Sequence, residues 1–140
     1  MKVARTKDCN VIPHIKHLVD LFIENEEIAE YDAVRILQNI RRNIESQSFL
    51  LFIASDEKED SVDVCGLAVG YITSNINDRL FLMISCFFGA DESIEKAMLE
   101  EMQSWAYKNA IHEMMYITKN TKKFEEFGFK TINQIMLKEV

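Results

Sequence analysis

The sequence predicts a mixed α/β (α+β) fold with the element order β-α-α-β-β-β-α-β-α-β. The observations behind this prediction are a nearly unbroken apolar run at residues 80–88, helical spacing from Ser93 onward, and polar turns between shorter apolar segments. A strand covered on both faces gives such an apolar run, and a strand that enters an amphipathic helix is half of a βαβ unit. We therefore expect a mixed sheet with helices on both faces.

The first half of the chain supplies three predicted strands and two predicted helices. Alternating or continuous apolar segments mark the strands, whereas the helices repeat apolar residues at helical spacing. Pro13 falls in the first turn of the first helix, where its missing N–H costs little. The expected elements are a strand at residues 2–7, helices at 11–25 and 31–45, and strands at 48–55 and 62–74.

Charged segments separate several of these elements. Residues 24–30 form an acidic connection after the first helix, and residues 56–61, with the sequence DEKEDS, are predicted as a hairpin loop. Gly66 and Gly70 lie inside the long third strand. We expect them at bulges or at points of close backbone approach.

The second half is organised around the apolar strand and the helix that follows it. Asp91 and Glu92 lie at the start of that helix, where carboxylates interact favourably with exposed N–H groups. The remaining elements are expected as a strand at 113–118, a short helix at 120–127 capped by Gly128, and a last strand at 129–140. The long helix allows a parallel crossover between the fourth and fifth strands, and a cleft is expected where they diverge.

The length and composition are those of one globular domain spanning residues 1–140. The chain is 48% hydrophobic and 28% charged, and its 4 Gly and 1 Pro leave no room for a flexible linker. No apolar run reaches the about 18 residues of a membrane span, and the N-terminal segment MKVARTKDCN is too polar for a signal peptide. We therefore expect a cytoplasmic protein that does not bind a membrane.

Charge and cysteine content argue against two classes of function. The net charge of −7 disfavours nucleic-acid binding, because an acidic surface repels phosphate backbones. A small basic patch at Lys119, Lys122 and Lys123 is the exception. The 3 Cys and 3 His lack the spacing of a metal site, so no metal is expected.

Near its end the chain carries the segment FEEFGF at residues 124–129, and a Trp-Ala pair falls late in the long helix. Together with the element order, these residues resemble the GCN5-related N-acetyltransferase (GNAT) superfamily. Its closing motif has an aromatic residue, a Glu or similar, two more residues and then Gly-Phe. The resemblance implies a mostly antiparallel sheet of six to seven strands. Small proteins with this ending are also similar to GNAT-like proteins of bacteriophages, which implies the host cytoplasm as their location.

The resemblance implies transfer of an acetyl group from acetyl-CoA to an amine of a small molecule or protein. In the family, the fourth strand holds the pantetheine arm, and the loop entering the next helix wraps the pyrophosphate with backbone N–H groups. The residues implied for acetyl-CoA binding in this chain are Cys86, Phe87, Phe88, Ala90, Ser93, Asn120, Lys123 and Phe124. Asn120 has a second interpretation, as the N-cap of the short helix.

The predicted pyrophosphate loop departs from the family pattern. The family motif Gln/Arg-x-x-Gly-x-Gly/Ala aligns with Ala90, Ser93 and Glu95, so both glycines and the basic or amide residue are missing. Glycines allow the backbone to approach a phosphate closely. Asp91, Glu92 and Glu95 instead place negative charge in the same turn, where it would repel phosphate.

The candidate catalytic residues also differ from those of the family. Phe124 takes the position of the family's Tyr that often protonates the leaving thiolate, and it has no hydroxyl. The fourth strand contains no carboxylate. Its Ser85 is a candidate nucleophile, although no neighbouring His-Asp order supports a triad. His112 and Glu113 are the nearest candidate bases; a surface loop residue and a solvated strand end are the alternatives.

Two classes of function stay open at this point. The first is a divergent GNAT acetyltransferase. The second is a catalytically inactive GNAT-fold protein, such as a phage-encoded or virion-associated adaptor, that binds another protein. For that class, the acidic segments at residues 24–30 and 56–60 are candidate contact surfaces for a basic partner.

Overall fold

The computed structural model describes residues 1–27, 31–58, 61–75, 77–132 and 138. It confirms the predicted order of elements from the first strand to the short helix. The elements are β1 (Lys2–Thr6), α1 (Ile12–Glu26), α2 (Ala33–Asn43), β2 (Phe49–Lys58), β3 (Ser61–Ser74), β4 (Leu80–Gly89), α3 (Glu92–Lys108), β5 (Met114–Tyr116) and α4 (Thr121–Glu126). A short 3-10 turn at Cys9–Val11 leads into α1.

The sheet of the described residues has five strands rather than the expected six to seven. The predicted last strand accounts for part of this difference. Residues 129–132 have no regular structure, and residues 133–137, 139 and 140 lie outside the described part of the chain.

The hairpin between β2 and β3 is tighter than the sequence indicates. Asp56 and Glu57 were expected in a loop because they are charged, but they belong to β2 and pair with Asp63 and Val62. The pairing continues to Lys58 opposite Ser61. Charged side chains are compatible with this strand end because one of its faces is open to solvent.

The strands follow the order β1-β2-β3-β4-β5, and only the last pair is parallel. β4 pairs with β5 at Leu82–Ile84 alone, opposite Met114–Tyr116, and then continues to Gly89. A register shift opposite Val69 and Gly70 bends β4 just after Ile84. The two strands therefore part as predicted, and the opening lies at their carboxyl ends.

Helices cover both faces of the sheet. α1 and α2 bury one cluster against it, and α3 and α4 bury the other. Val34 is 57% exposed, although helical spacing places it with the apolar residues of α2. The helix packs mainly through Ile40 and the following Ile44.

Two glycines have a structural reason for their position. A Cβ at Gly66 would lie 2.9 Å from a side-chain atom of Ile94, so this glycine permits α3 to pack closely on β3. Gly128 has a φ of +95° and ends α4, as expected for a helix C-cap. Across the described residues, none of the helices has both the length and the hydropathy that crossing a membrane requires.

Candidate active site

A cleft of about 220 Å³ opens where β4 and β5 part. Residues from four segments meet there, because the ends of α1 and β4 converge with the starts of α3 and α4. The lining residues are Asn25, Glu26, Phe87, Phe88, Gly89, Ala90, Glu95, Asn120, Lys123 and Phe124. Two of them, Glu26 and Glu95, are the buried charged residues of the described chain.

Glu26 is the last residue of α1, and its side chain is on the buried side of that helix. It follows Val19 by seven positions and Phe22 by four, so helical spacing places the three side chains on one face. Glu27 then takes a left-handed conformation with a φ of 54° and ends the helix. The residue at position 26 is consequently only 3% exposed.

Neutral donors from β5 and the segment after it hold the Glu26 carboxylate. The Tyr116 hydroxyl donates to Oε1 at 3.1 Å, and the Thr118 hydroxyl lies 2.9 Å from Oε1 and 3.1 Å from Oε2. The Lys119 backbone N–H donates to Oε2 at 3.4 Å, and the Asn120 N–H donates to the Thr118 hydroxyl at 3.0 Å. These bonds fix the carboxylate at the edge of the cleft.

The Glu26 carboxylate has no cationic partner within the described residues, since none of their ion pairs includes it. Buried carboxylates are commonly paired with a cation. Three neutral donors make four contacts with the two carboxylate oxygens, so the group is oriented by hydrogen bonds while its charge is not compensated by a cation among the described residues. Burial, and then the charge of Glu26, raise the pKa of the Tyr116 phenol, which therefore remains a neutral donor.

Phe124 anchors α4 beside this group. Its ring meets the rings of Tyr116 and Phe87 edge-on, at centroid distances of 4.8 Å and 5.5 Å. Phe127 and Phe129 contact it in the same way. Such edge-to-face pairs favour one relative orientation of the rings. The cluster thus holds α4 in place at the carboxyl ends of β4 and β5.

At the opposite side of the cleft, the start of α3 is capped by a side chain of the protein itself. The Asp91 carboxylate accepts hydrogen bonds from the Ile94 backbone N–H at 2.9 Å and from the Ser93 hydroxyl at 2.6 Å. The Ala90 N–H donates to the Cys65 carbonyl at 2.9 Å. The bond from Ser93, and then that from Ile94, lower the pKa of Asp91. An anion of the chain thus occupies the helix N-terminus.

Glu95 and Lys123 join α3 to α4 across this side of the cleft. Lys123 Nζ lies 2.6 Å from Glu95 Oε2, and Glu95 is only 6% exposed. The Glu95 side chain also lies directly against the end of β4, because a Cβ at Gly89 would be 2.7 Å from Glu95 Cγ. Lys123, which lines this side of the cleft, is therefore already paired with Glu95.

Beyond Ile84, β4 pairs only with β3 among the described residues. Alternate residues of a strand direct their backbone N–H and C=O groups towards opposite neighbours. Some of these groups in residues 85–89 therefore face the cleft without a strand to pair with. An open strand edge of this kind can bind the amide groups of an extended ligand.

Several solved acetyltransferases superpose on this structure over nearly their whole length. A predicted acetyltransferase with acetyl-CoA from Clostridium acetobutylicum has a TM-score of 0.77 and 12% identity, covering 99% of this chain and 95% of that one. A ribosomal-protein-alanine N-acetyltransferase from Brucella melitensis biovar Abortus has a TM-score of 0.72 and 9% identity, with 100% of both chains covered. The chain has the GNAT fold.

A third solved structure with this fold is an aminoglycoside acetyltransferase from an uncultured soil metagenomic sample, in complex with sisomicin. It has a TM-score of 0.69 and 13% identity and covers 99% of this chain and 96% of that one. No protein-family model and no curated protein matches the sequence. At such low identity, the likeness shows the GNAT fold alone.

Acetyl-CoA, the donor expected from the resemblance in the sequence, fits one part of this site and not the other. The open edge of β4 offers backbone groups to the amides of a pantetheine arm. The start of α3 is unsuited to a diphosphate, because Asp91 accepts the N–H group that a phosphate would use. Glu95 adds a second carboxylate there and already pairs with Lys123.

The structure brings six of the eight residues predicted for acetyl-CoA binding to this cleft. They are Phe87, Phe88, Ala90, Asn120, Lys123 and Phe124. Cys86 lies under α1 instead, where burial and then the charge of Glu26 raise the pKa of its thiol. Ser93 is exposed at the start of α3 and is bonded to Asp91. Asn120 begins α4 without a capping bond from its side chain, so its amide is available to the cleft.

The three predicted catalytic residues lie away from the cleft. His112 and Glu113 precede β5, whose parallel pairing places its start beside the start of β4 rather than beside its carboxyl end. The Glu113 carboxylate pairs with Arg79 at 2.8 Å, and His112 lines a separate surface cleft with Tyr107. Ser85 is exposed at the bend of β4, where its hydroxyl donates to the Val69 carbonyl at 3.4 Å.

Glu26 and Glu95 are the cleft residues whose burial the sequence analysis missed. Residues 24–30 had been assigned to an acidic connection, although Glu26 continues the spacing of Val19 and Phe22 by one more turn. Glu95 stands four positions before the buried Leu99. At both positions, helical spacing indicates a buried side chain, whereas the charge of the residue indicates an exposed one.

Proposed function

We propose that the protein transfers an acetyl group to an amine from a pantetheine thioester, the class of donor to which acetyl-CoA belongs. The observation that carries the proposal is the Glu26 carboxylate, which is buried at the parting of β4 and β5 and has no cationic partner among the described residues. Such a group attracts a cationic amine and is placed to accept its proton.

In the proposed reaction, the chain contributes binding, orientation and a base. The thioester supplies an activated acyl carbon, whose carbonyl oxygen accepts a hydrogen bond from the open edge of β4. Glu26 first accepts a proton from the cationic amine, and the neutral nitrogen then uses its lone pair to form a bond to that carbon. The carbon–sulfur bond breaks with its electron pair on the sulfur as a thiolate, and the second amine proton passes to this thiolate or to solvent.

The leaving thiolate requires little help from the protein. Thiols have a pKa of about 8.5, so a thiolate is a good leaving group near neutral pH without a general acid. Phe124 accordingly needs no hydroxyl, and its contribution is to hold α4 beside the cleft. Tyr116 and Thr118 are positioning residues, because they act on the reaction through Glu26.

The experiment is a thiol-release assay with acetyl thioesters and a panel of amines that includes polyamines, amino sugars and peptides with a free α-amino group. We expect thiol release that depends on the amine, together with a product whose mass is larger by one acetyl group. Hydrolysis that is independent of the amine, or no release with any amine, would contradict the proposal.

The alternative is a GNAT-fold protein without catalytic activity that acts as an adaptor for another protein. The ion pair between Glu95 and Lys123 favours it, since this pair occupies the cation that a diphosphate would need. A ligand at about 100 times its dissociation constant stabilises a protein by about 2.7 kcal/mol. The adaptor alternative therefore predicts no thermal stabilisation by millimolar acetyl-CoA or acetyl-pantetheine, whereas the proposed transferase is stabilised by at least one of them.

A further inference from the structure

We propose that the preferred acyl donor is a pantetheine thioester that lacks the adenosine diphosphate part of CoA. This inference rests on the proposed function and narrows the class of its donor. It follows from a contrast within one cleft, whose β4 edge is open to an extended arm while its α3 side is closed by the chain's own charged groups.

The first step is the α3 N-terminus, which is already capped by a carboxylate of the chain, Asp91. Asp91 accepts the Ile94 N–H and the Ser93 hydroxyl, and the Ala90 N–H is bonded to the Cys65 carbonyl. A diphosphate would have to displace a carboxylate that is covalently part of the same turn. The displaced carboxylate would then remain close to the phosphate and repel it.

The second step concerns the cation nearest to this position. Lys123 can contact a diphosphate only by leaving Glu95, which is 6% exposed and lies against the backbone of Gly89. Glu95 would then be a buried carboxylate without a partner, which is costly. Lys119 and Lys122 are exposed and do not line the cleft, so contacts from them are screened by salt.

The third step is the open edge of β4, where residues 85–89 pair with β3 alone among the described residues. A thioester with a pantetheine arm can lie along the β4 edge with its acyl group towards Glu26. Nothing in this arrangement requires the adenosine diphosphate.

The experiment compares kcat/KM of the wild-type protein for acetyl-CoA, for S-acetyl-pantetheine and for an acetylated pantetheine arm joined through a phosphodiester to the serine of a carrier protein. An enzyme that binds the nucleotide loses rate when it is removed, because remote binding energy contributes to catalysis. We expect the kcat/KM for S-acetyl-pantetheine to be equal to that for acetyl-CoA within about 3-fold, or higher. The carrier-protein donor shows whether the arm is used free or bound to a protein.

An acetyl-CoA preference of about 100-fold or more over both other donors would overturn the inference and leave the proposed function intact. Failure of all donors with every amine would overturn both. A binding measurement provides a readout that does not depend on turnover. We expect CoA and pantetheine to have calorimetric dissociation constants within about 10-fold of each other, and CoA binding stronger by a larger factor would contradict this.

Glu95→Gln tests the stated cause, with Glu100→Gln as its control because Glu100 is exposed on the same helix. The change removes a negative charge near the α3 N-terminus and frees Lys123. We expect it to shift the ratio of kcat/KM for acetyl-CoA to that for S-acetyl-pantetheine towards acetyl-CoA by about 10-fold. An unchanged ratio in Glu95→Gln would contradict the argument from charge.

Discussion

Two buried carboxylates line the same cleft, and they differ in what neutralises them. Glu26 receives hydrogen bonds from two hydroxyls and a backbone N–H, whereas Glu95 pairs with Lys123 at 2.6 Å. Neutral donors orient a carboxylate and leave its charge available to a ligand, but a lysine at this distance compensates the charge. We therefore infer that Glu26 takes part in the reaction, whereas Glu95, through its pair with Lys123, closes the α3 side of the cleft.

The largest expected effect comes from removing the charge of Glu26. Glu26→Gln keeps the shape of the side chain but cannot accept the amine proton, so we expect kcat to fall about 10²–10⁴-fold. Steady-state thiol release measures this. Glu24→Gln, an exposed position on the same helix, is the control and should leave kcat unchanged. A Glu26→Gln variant with wild-type kcat would remove the assigned role.

The second-largest effect is expected on the free energy of unfolding, when the buried Glu95 carboxylate loses its cationic partner. Lys123→Met leaves Glu95 buried without its cation, and we expect a loss of about 1–3 kcal/mol in the free energy of unfolding. This is less than for a fully buried pair, because the Lys123 side chain is 39% exposed. Urea unfolding measures it, with Lys122→Met as the control.

A double variant makes this stability test specific to the ion pair. Combining Glu95→Gln with Lys123→Met removes both charges, so the combined loss should be smaller than that of Lys123→Met alone. Equal losses in the single and double variants would mean that the lysine stabilises the protein through packing rather than through its charge.

A smaller effect is expected from the residues that orient Glu26. Tyr116→Phe removes one hydrogen bond to the carboxylate while keeping the ring in the Phe124 cluster. We expect kcat to fall about 10-fold with KM unchanged, because Tyr116 does not line the cleft. Tyr107→Phe, on the exposed side of α3, is the control. A change in KM alone would indicate substrate contact instead of positioning.

The smallest effect is the pH dependence of the Asp91 cap. Its pKa is lowered in the folded state, so the stabilisation that it provides is present above the unfolded pKa of about 3.9 and is lost as the pH falls through the folded value. We expect the melting-temperature difference between wild type and Asp91→Asn to be constant from about pH 7 to pH 5 and to shrink below about pH 4. A melting-temperature difference that is independent of pH would mean that the charge of Asp91 contributes nothing to stability.

The sequence predicts most of the scaffold of this cleft because hydrophobic periodicity determines it. The apolar run of β4 and the spacing of α3 place their boundaries within one or two residues of those observed. The parting of β4 and β5 also follows from the sequence, since a parallel crossover with a short fifth strand cannot pair along the whole of β4.

The chemistry of the cleft was harder to predict, because it depends on contacts between residues far apart in the chain. Glu26 bonds to Tyr116 and Thr118, which are separated from it by 90 and 92 positions. Its charge suggested an exposed connection, and only the tertiary structure shows that hydroxyls compensate its burial. Sequence proximity to the fourth strand makes Glu113 a candidate base, but in the structure it lies at the start of β5, away from the cleft at the carboxyl end of β4.

The most direct test of these two roles compares Glu26→Gln and Glu95→Gln with S-acetyl-pantetheine and the same amine at saturation. The quantity measured is the single-turnover rate of acetyl transfer. We predict a loss of about 100-fold or more for Glu26→Gln and a rate within about 3-fold of wild type for Glu95→Gln. Equal losses in the two variants, or a larger loss for Glu95→Gln, would contradict the account.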